Sequence, residues 1–237
     1  MSKAPPARAV VIHGHFYQPP REDPWLGQVP LQPGAAPFHD WNERVDAECY
    51  RPVVEARILD GEGGTRRVLN CLELMSFNFG PTLLSWLETH SRDTYEAVLS
   101  ADAVARARTG HGAALAMAYH HPILPLATRR DKRTEIRWGI QDFKRRFGRH
   151  PEGMWLPETA ADLETLEVLA GEGVQFTILA PHQVRGKPPR GRPGRIRTAT
   201  GESLTVVPYR GDLSHAVAFG DALRDAEGWA ELLVQVG

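Results

Sequence analysis

Residues 131–181 read DKRTEIRWGIQDFKRRFGRHPEGMWLPETAADLETLEVLAGEGVQFTILAP, and this stretch decides the fold. Ile136, Ile140, Phe143 and Phe147 fall at i, i+4, i+7 and i+11, one apolar stripe at helical period, and Gly148 supplies the stop. "GMWL" (153–156) reads as a strand, ended by Pro157, which has no N–H to give a sheet ladder. Thr159 or Asp162 can cap a second helix that buries Leu163, Leu166 and Leu169 or Ala170. "GEG" stops that helix, and "VQFTILAP" (174–181) is the next strand. Helix and strand in alternation predict a parallel sheet with helices packed outside it.

The same alternation extends in both directions. "AVVIH" (9–13) predicts a buried first strand, "RVLNCL" (67–72) a second and "SLTVVPY" (203–209) a last, while "AALAMAY" (113–119) suits either a strand or a short buried helix. A long loop over about residues 18–45 shades into a polar helical stretch, NERVDAECYRPVVEARIL, and a second long loop covers about 182–202. "GPTLLSWLETH" is a helix with Pro81 in its first turn, where a missing N–H costs nothing, and residues 216–235 are helical again. About six strands at these spacings fit a barrel or an open doubly wound sheet. In both, ligands meet the carboxyl ends of the strands. The polar residues His13, His15, Tyr119 to His121, Glu158, His182 and Asp212 fall at those ends.

Composition narrows the partners. The 237 residues are 42% apolar and 24% charged with a formal net charge of −1, so nothing draws the chain toward nucleic acid or a membrane surface. No apolar run approaches bilayer length, and "MSKAPPARAVVIHGH" has no signal-type apolar core. Two cysteines, Cys49 and Cys71, make no disulfide framework, which places the chain in the cytoplasm with free thiols. The basic stretch "VRGKPPRGRPGRIR" (184–197) lacks interleaved aromatics and reads as a solvated loop.

Several side chains can carry chemistry. Glu158 stands at the mouth of a strand, where a carboxylate serves as nucleophile, base or metal ligand, or merely favours the positive end of the following helix dipole. Position alone leaves these balanced. His13 and His15, two apart on an extended chain, share one side and can chelate a metal, meet sugar hydroxyls or hold a loop. Of the adjacent pair His120 and His121 at most one reaches the same place, and His111 precedes a strand in a loop. Trp25, Phe38 and Trp41 lie in or beside the first long loop, a lid or binding-loop length. Trp155 faces either the cavity or the core.

At this point the residues carry a resemblance. "HGHFYQPPREDPW", "FHDWNERVDAECYRP", the run from "GHGAALAMAYHHPILPLATRR" through "GMWLPETA", and "DLETLEVLAGEGVQFTILAPHQ" resemble glycoside hydrolase family 57, most of all a bacterial branch of much longer proteins. The likeness covers about residues 10–220. It implies an α/β fold, an incomplete (β/α)7 barrel of parallel strands with outer helices, forming a single domain over residues 1–237. It implies an α-glucan or oligosaccharide substrate, retention of configuration, no cofactor and no metal. "WLPE" resembles the signature of the family's nucleophile, here Glu158, and by analogy His13 and His15 line the sugar subsites, with Trp25, His111, His120 and Trp155 as the further substrate-binding candidates. A retaining enzyme also needs a second carboxyl about 5–5.5 Å away, held protonated by a raised pKa. The family's acid lies on a later Asp-Gly signature, whereas this sequence reaches "LLVQVG" first, and Asp212 in "YRGDLSH" does not match that signature. The expectation is a barrel truncated on its C-terminal side. It would be impaired in natural glucan turnover unless Asp212 is recruited, and its open edge would be covered by the remainder of a longer chain or by self-association. "GHGAAL" also offers Ala113 and Ala114 where the family often has a polar side chain. Two other readings stand beside this one: a metal-dependent carbohydrate deacetylase using His13, His15 and an acidic residue, and a non-catalytic glucan-binding fragment.

Overall fold

A computed structural model describes residues 9–185, 191–199 and 201–236. Its strands are short: β1 (His13–Phe16), β2 (Ala56–Leu59), β3 (Thr65–Leu69), β4 (Ser76–Phe79), β5 (Ala116–Met117), β6 (Met154–Trp155), β7 (Phe176–Leu179), β8 (Gly194–Arg197) and β9 (Ser203–Pro208). β1 pairs with β4, β5 with β6 and β7 with β9, all parallel. Single parallel bridges, Phe77 to Ala114 and Gly153 to Phe176, join these pairs into the succession β1–β4–β5–β6–β7–β9. β8 lies antiparallel on the outer side of β9. The result is a mixed α/β fold of parallel strands and packed helices.

Helices α1 (Trp41–Val45) and α2 (Arg51–Val54) precede β2, and the crossover helices are α3 (Pro81–His90) and α4 (Arg92–Thr109) between β4 and β5, α5 (Arg129–Phe147) before β6, and α6 (Leu163–Gly171) before β7. Thr128 caps α5 by accepting from the Asp131 amide, and Gly148 ends it at φ 65°. Ile136, Ile140 and Phe143 are buried as the stripe predicts. Gly139 lets α5 lie directly on β5, because a Cβ there would overlap the Met117 carbonyl. Asp162, not Thr159, caps α6, its carboxylate accepting from the Thr165 amide at 2.7 Å. Leu166 and Leu169 are buried, but Leu163, expected inside, is 76% exposed. At the first position of the helix it points away from the sheet.

Four further expectations need correcting. "RVLNCL" is a strand only over residues 67–69, and not one of the parallel sheet. Thr65–Leu69 pairs antiparallel with Ala56–Leu59 in a hairpin whose side chains are mostly exposed, so the polar helical stretch ends at Val54 rather than running to Leu59. The parallel strand is instead Ser76–Phe79, whose Phe77 and Phe79 are buried. The first strand starts at His13, and Val10, Val11 and Ile12 before it are exposed. A β-branched run seeks burial only where a partner face covers it, and pairing with β4 begins at His13. The terminal helical stretch is two helices, α7 (Gly211–Phe219) and α8 (Ala226–Val236). Residues 1–8 and 186–190, parts of the N-terminal and basic stretches read above, lie outside the described residues.

Candidate active site

Strand alternation sets up the site. β1 and β4 pair in the register His13–Ser76 and His15–Asn78, so all four side chains share one face while Phe77 and Phe79 occupy the other. His13 Nδ1 lies 3.0 Å from Ser76 Oγ, and its Nε2 lies 3.1 Å from Asn78 Oδ1. The Asn78 amide nitrogen is 2.9 Å from His15 Nδ1. With the Asn78 carbonyl accepting from His13 and its amide donating to His15, His15 carries its proton on Nε2. The approach of Asn78 Oδ1 to His15 Nδ1, at 3.3 Å, is the longer of the two contacts, so fully buried Asn78 favours this pair of tautomers.

Trp155, the last residue of β6, stacks against both rings, 5.1 Å from His13 and 4.9 Å from His15. His121 lies 5.5 Å from His15 and 3.8 Å from Tyr17, so five rings form a continuous stack across the ends of β1, β5 and β6. Burial pushes the His13 imidazole down to about 4, against the opposing pull of its bond to Asn78. Burial lowers His15 and His121 in the same direction, and the Glu158 carboxylate is close enough to pull both back up. Burial likewise raises the Tyr17 phenol, and Glu158 adds to that. These rings are neutral at pH 7.

Glu158 follows β6 by three residues and is exposed. Its φ of 55° and the 51° of Thr159 are left-handed, as is the 60° of His121, and these are the only non-glycine residues of positive φ among the described residues. Such conformations cost about 1–3 kcal/mol each and gather at functional sites. All three sit just beyond β5 and β6. Trp155 Nε1 and His121 Nε2 are buried without a hydrogen-bond partner, a second departure from the usual satisfaction of polar atoms at the same place.

The structure thus brings together Glu158, His13, His15 and Trp155 and separates the others. His120 turns outward onto Glu135, 2.8 Å away, and Trp138, leaving its neighbour His121 to enter the stack. His111 pairs with Glu152 at 3.0 Å before β5 and β6, at the opposite end of the strands from Glu158. Trp25 is 92% exposed on a loop that Asp23 ties by accepting from the Trp25 and Leu26 amides, and among the described residues no ring contact joins it to the stack. Asp212 is held by Arg210 at 2.6 Å, which draws its carboxyl down to about 2. That is the reverse of what a general acid needs. Among the described residues the one set of converging metal-ligand atoms is His39, Asp40 and Glu43, where Asp40 is already the cap of a short helix, and it does not include His13 or His15. Reasoning from sequence missed Tyr17, Ser76 and Asn78, and of the pair His120 and His121 it took His120 for the site. The i, i+2 polar pair within "SFNF" was the available signal for Ser76 and Asn78.

The sequence profile of glycosyl hydrolase family 57 matches residues 42–235. Among solved structures, the chain is similar to a 4-alpha-glucanotransferase from Thermococcus litoralis (TM-score 0.61, 18% identity, 94% of this chain and 30% of that one). It is similar also to an exo-type maltose-forming amylase from Pyrococcus sp. ST04 (TM-score 0.63, 17% identity, 91% and 38%). A third likeness is to a branching enzyme from Pyrococcus horikoshii (TM-score 0.57, 15% identity, 90% and 49%). The chain spans less than half the length of each. Among curated proteins none matches it in sequence.

Proposed function

The chain belongs to glycosyl hydrolase family 57, and from that premise we propose that its strand ends form the nucleophile side of a retaining α-glucan-active site. The parallel strands are then part of an incomplete (β/α)7 barrel, and the substrate is an α-1,4-linked glucan or oligosaccharide. The observation that carries this reading is Glu158: an exposed carboxylate on a left-handed turn beyond β6, close enough to act on His15, Tyr17 and His121.

Chemically, a carboxylate oxygen of Glu158 attacks the anomeric carbon as the glycosidic bond breaks, and a covalent glycosyl-enzyme forms. Water then takes the glycosyl group in hydrolysis, or a sugar hydroxyl takes it in transfer. His15, with its proton on Nε2, offers a donor to a sugar oxygen, and the neutral ring stack offers an apolar ledge to a sugar face. His13 acts through Asn78, since both its nitrogens are engaged. Asp212, paired with Arg210, is a poor proton donor to the leaving oxygen, so we assign the acid to no residue of this sequence.

An activated α-glucosyl fluoride tests the reading, because fluoride leaves without protonation. A fluoro-sugar trap followed by peptide mapping is expected to label Glu158, and Glu158→Gln to lower the labelling rate by more than about 10³-fold, or ~4 kcal/mol. Labelling of another residue, with Glu158→Gln unaffected, rejects the assignment.

A further inference from the structure

The turn that carries Glu158 is tied from outside itself. Its own backbone closes it on one side only: the Thr159 amide donates to Leu156 O at 2.9 Å, and Ala160 donates to Pro157 O at 3.0 Å. The Thr159 carbonyl instead accepts from Gln183 Nε2 at 2.7 Å, and the other end of the same amide, Oε1, accepts from the Ala180 amide at 2.7 Å. Gln183 lies in a short 3-10 turn, Pro181–Gln183, just beyond β7, the strand that neighbours β6. That base is firm. Thr177 of β7 donates to Met154 O of β6 at 2.8 Å, and Gly153 packs so closely on the Phe176 ring that a Cβ would collide with it. One half-buried side chain thus bridges two adjacent strand ends and grips the second of two consecutive left-handed residues.

We propose that Gln183 is the positioning residue for Glu158, its amide bridging Ala180 and Thr159 so that the left-handed turn presents the carboxylate to the anomeric carbon. This rests on the reading of Glu158 as nucleophile. Two successive left-handed non-glycine residues relax toward ordinary backbone unless the surroundings over-determine them. Without Gln183 the Thr159–Ala160 peptide keeps only its Ala160-to-Pro157 bond, and the turn so loosened lets the Glu158 side chain shift. A displacement on the order of 1 Å slows a positioned reaction by about 100-fold. An amide suits the place because it donates and accepts at once, which neither a carboxylate nor an aliphatic side chain can do.

The test uses the intact chain and two variants. Gln183→Leu removes both bonds, and Gln183→Glu keeps the acceptor for Ala180 while losing the donor to Thr159. We expect both to lower the maximal rate of fluoro-sugar labelling at Glu158 by about 10- to 100-fold, with the half-saturating trap concentration unchanged. Amide hydrogen exchange should rise in peptides covering residues 157–160 and stay unchanged in β4 and α5. Should Gln183→Leu fail to fold, Gln183→Glu alone answers the question. Wild-type labelling rates and unchanged exchange in either folded variant overturn the proposal. So does a variant that loses thermal stability while labelling at the normal rate per folded molecule, since that is a merely structural role. Failure of the wild-type chain to label at Glu158 refutes the nucleophile reading instead, and the exchange measurement still decides whether Gln183 holds the turn.

Discussion

His13 carries the most easily measured consequence of the site's packing. Its imidazole titrates near 4 when folded and near 6.5 when free, with burial as the main cause. As pH falls, the unfolded chain takes up the proton first. The stability due to the neutral ring is therefore complete above pH 6.5 and is lost as pH drops toward 4, by at most about 3 kcal/mol. His15 and His121 are lowered in the same direction, so their effects add. Urea denaturation at pH 7, 5.5 and 4.5 should show the midpoint of wild type falling more steeply than that of His13→Asn. Parallel slopes would contradict the burial argument. The placement of Glu158 and of the i, i+2 histidines at strand ends was legible in the linear sequence, because a proline stop and a two-residue spacing mark it. The choice of His121 over His120 was not, because adjacent side chains diverge and only the backbone at φ 60° decides which turns inward.

At the level of elements, α5 illustrates how a sequence pattern and a tertiary contact divide the work. The stripe of Ile136, Ile140 and Phe143 specifies which face is buried, and periodicity alone reveals it. Gly139, on the same face, breaks the helix-propensity rule for a reason visible only in the packed structure: the Met117 carbonyl occupies the space of its Cβ. Gly→Ala in an exposed helix interior stabilises by about 1 kcal/mol. Here Gly139→Ala should instead destabilise by about 1–3 kcal/mol, because α5 must lift off β5. Chemical denaturation settles the sign. The hairpin of β2 and β3 shows the opposite case. "RVLNCL" has strand composition, but nothing covers its faces, so propensity identified a strand and misplaced it in the architecture.

For the whole molecule, burial is uneven. The buried cluster runs from Phe77 and Phe79 through Val98, Ile136 and Met154 to Leu179 and Leu204, tying helices α3 to α6 onto the parallel strands. α7 buries no residue, and no described side chain of α8 is buried. Hydrogen exchange should reflect this: amides of α7 and α8 exchange through local opening, while those of β4, β5 and α5 wait for global unfolding. Equal protection along the chain would refute it. No helix of the described residues is long and apolar enough to cross a membrane. The ion pairs are also uneven. Arg146 is buried with Asp142, Glu88, Tyr95 and Ser85 around it, while its neighbours Lys144 and Arg145 are exposed.

The sequence by itself determined the alternation of helix and strand, the helix caps and stops, and a carboxylate beyond a proline-terminated strand. Each depends on local chemistry: apolar period, missing N–H groups, left-handed glycine. Tertiary structure decided which apolar runs became sheet strands, which of two histidines joined the ring stack, and how the turn at Glu158 is held. Those outcomes depend on contacts between residues far apart in the chain, such as His13 with Asn78 and Thr159 with Gln183. No local pattern encodes them, because a hydrogen bond across strand ends is specified by the register of the strands beneath it.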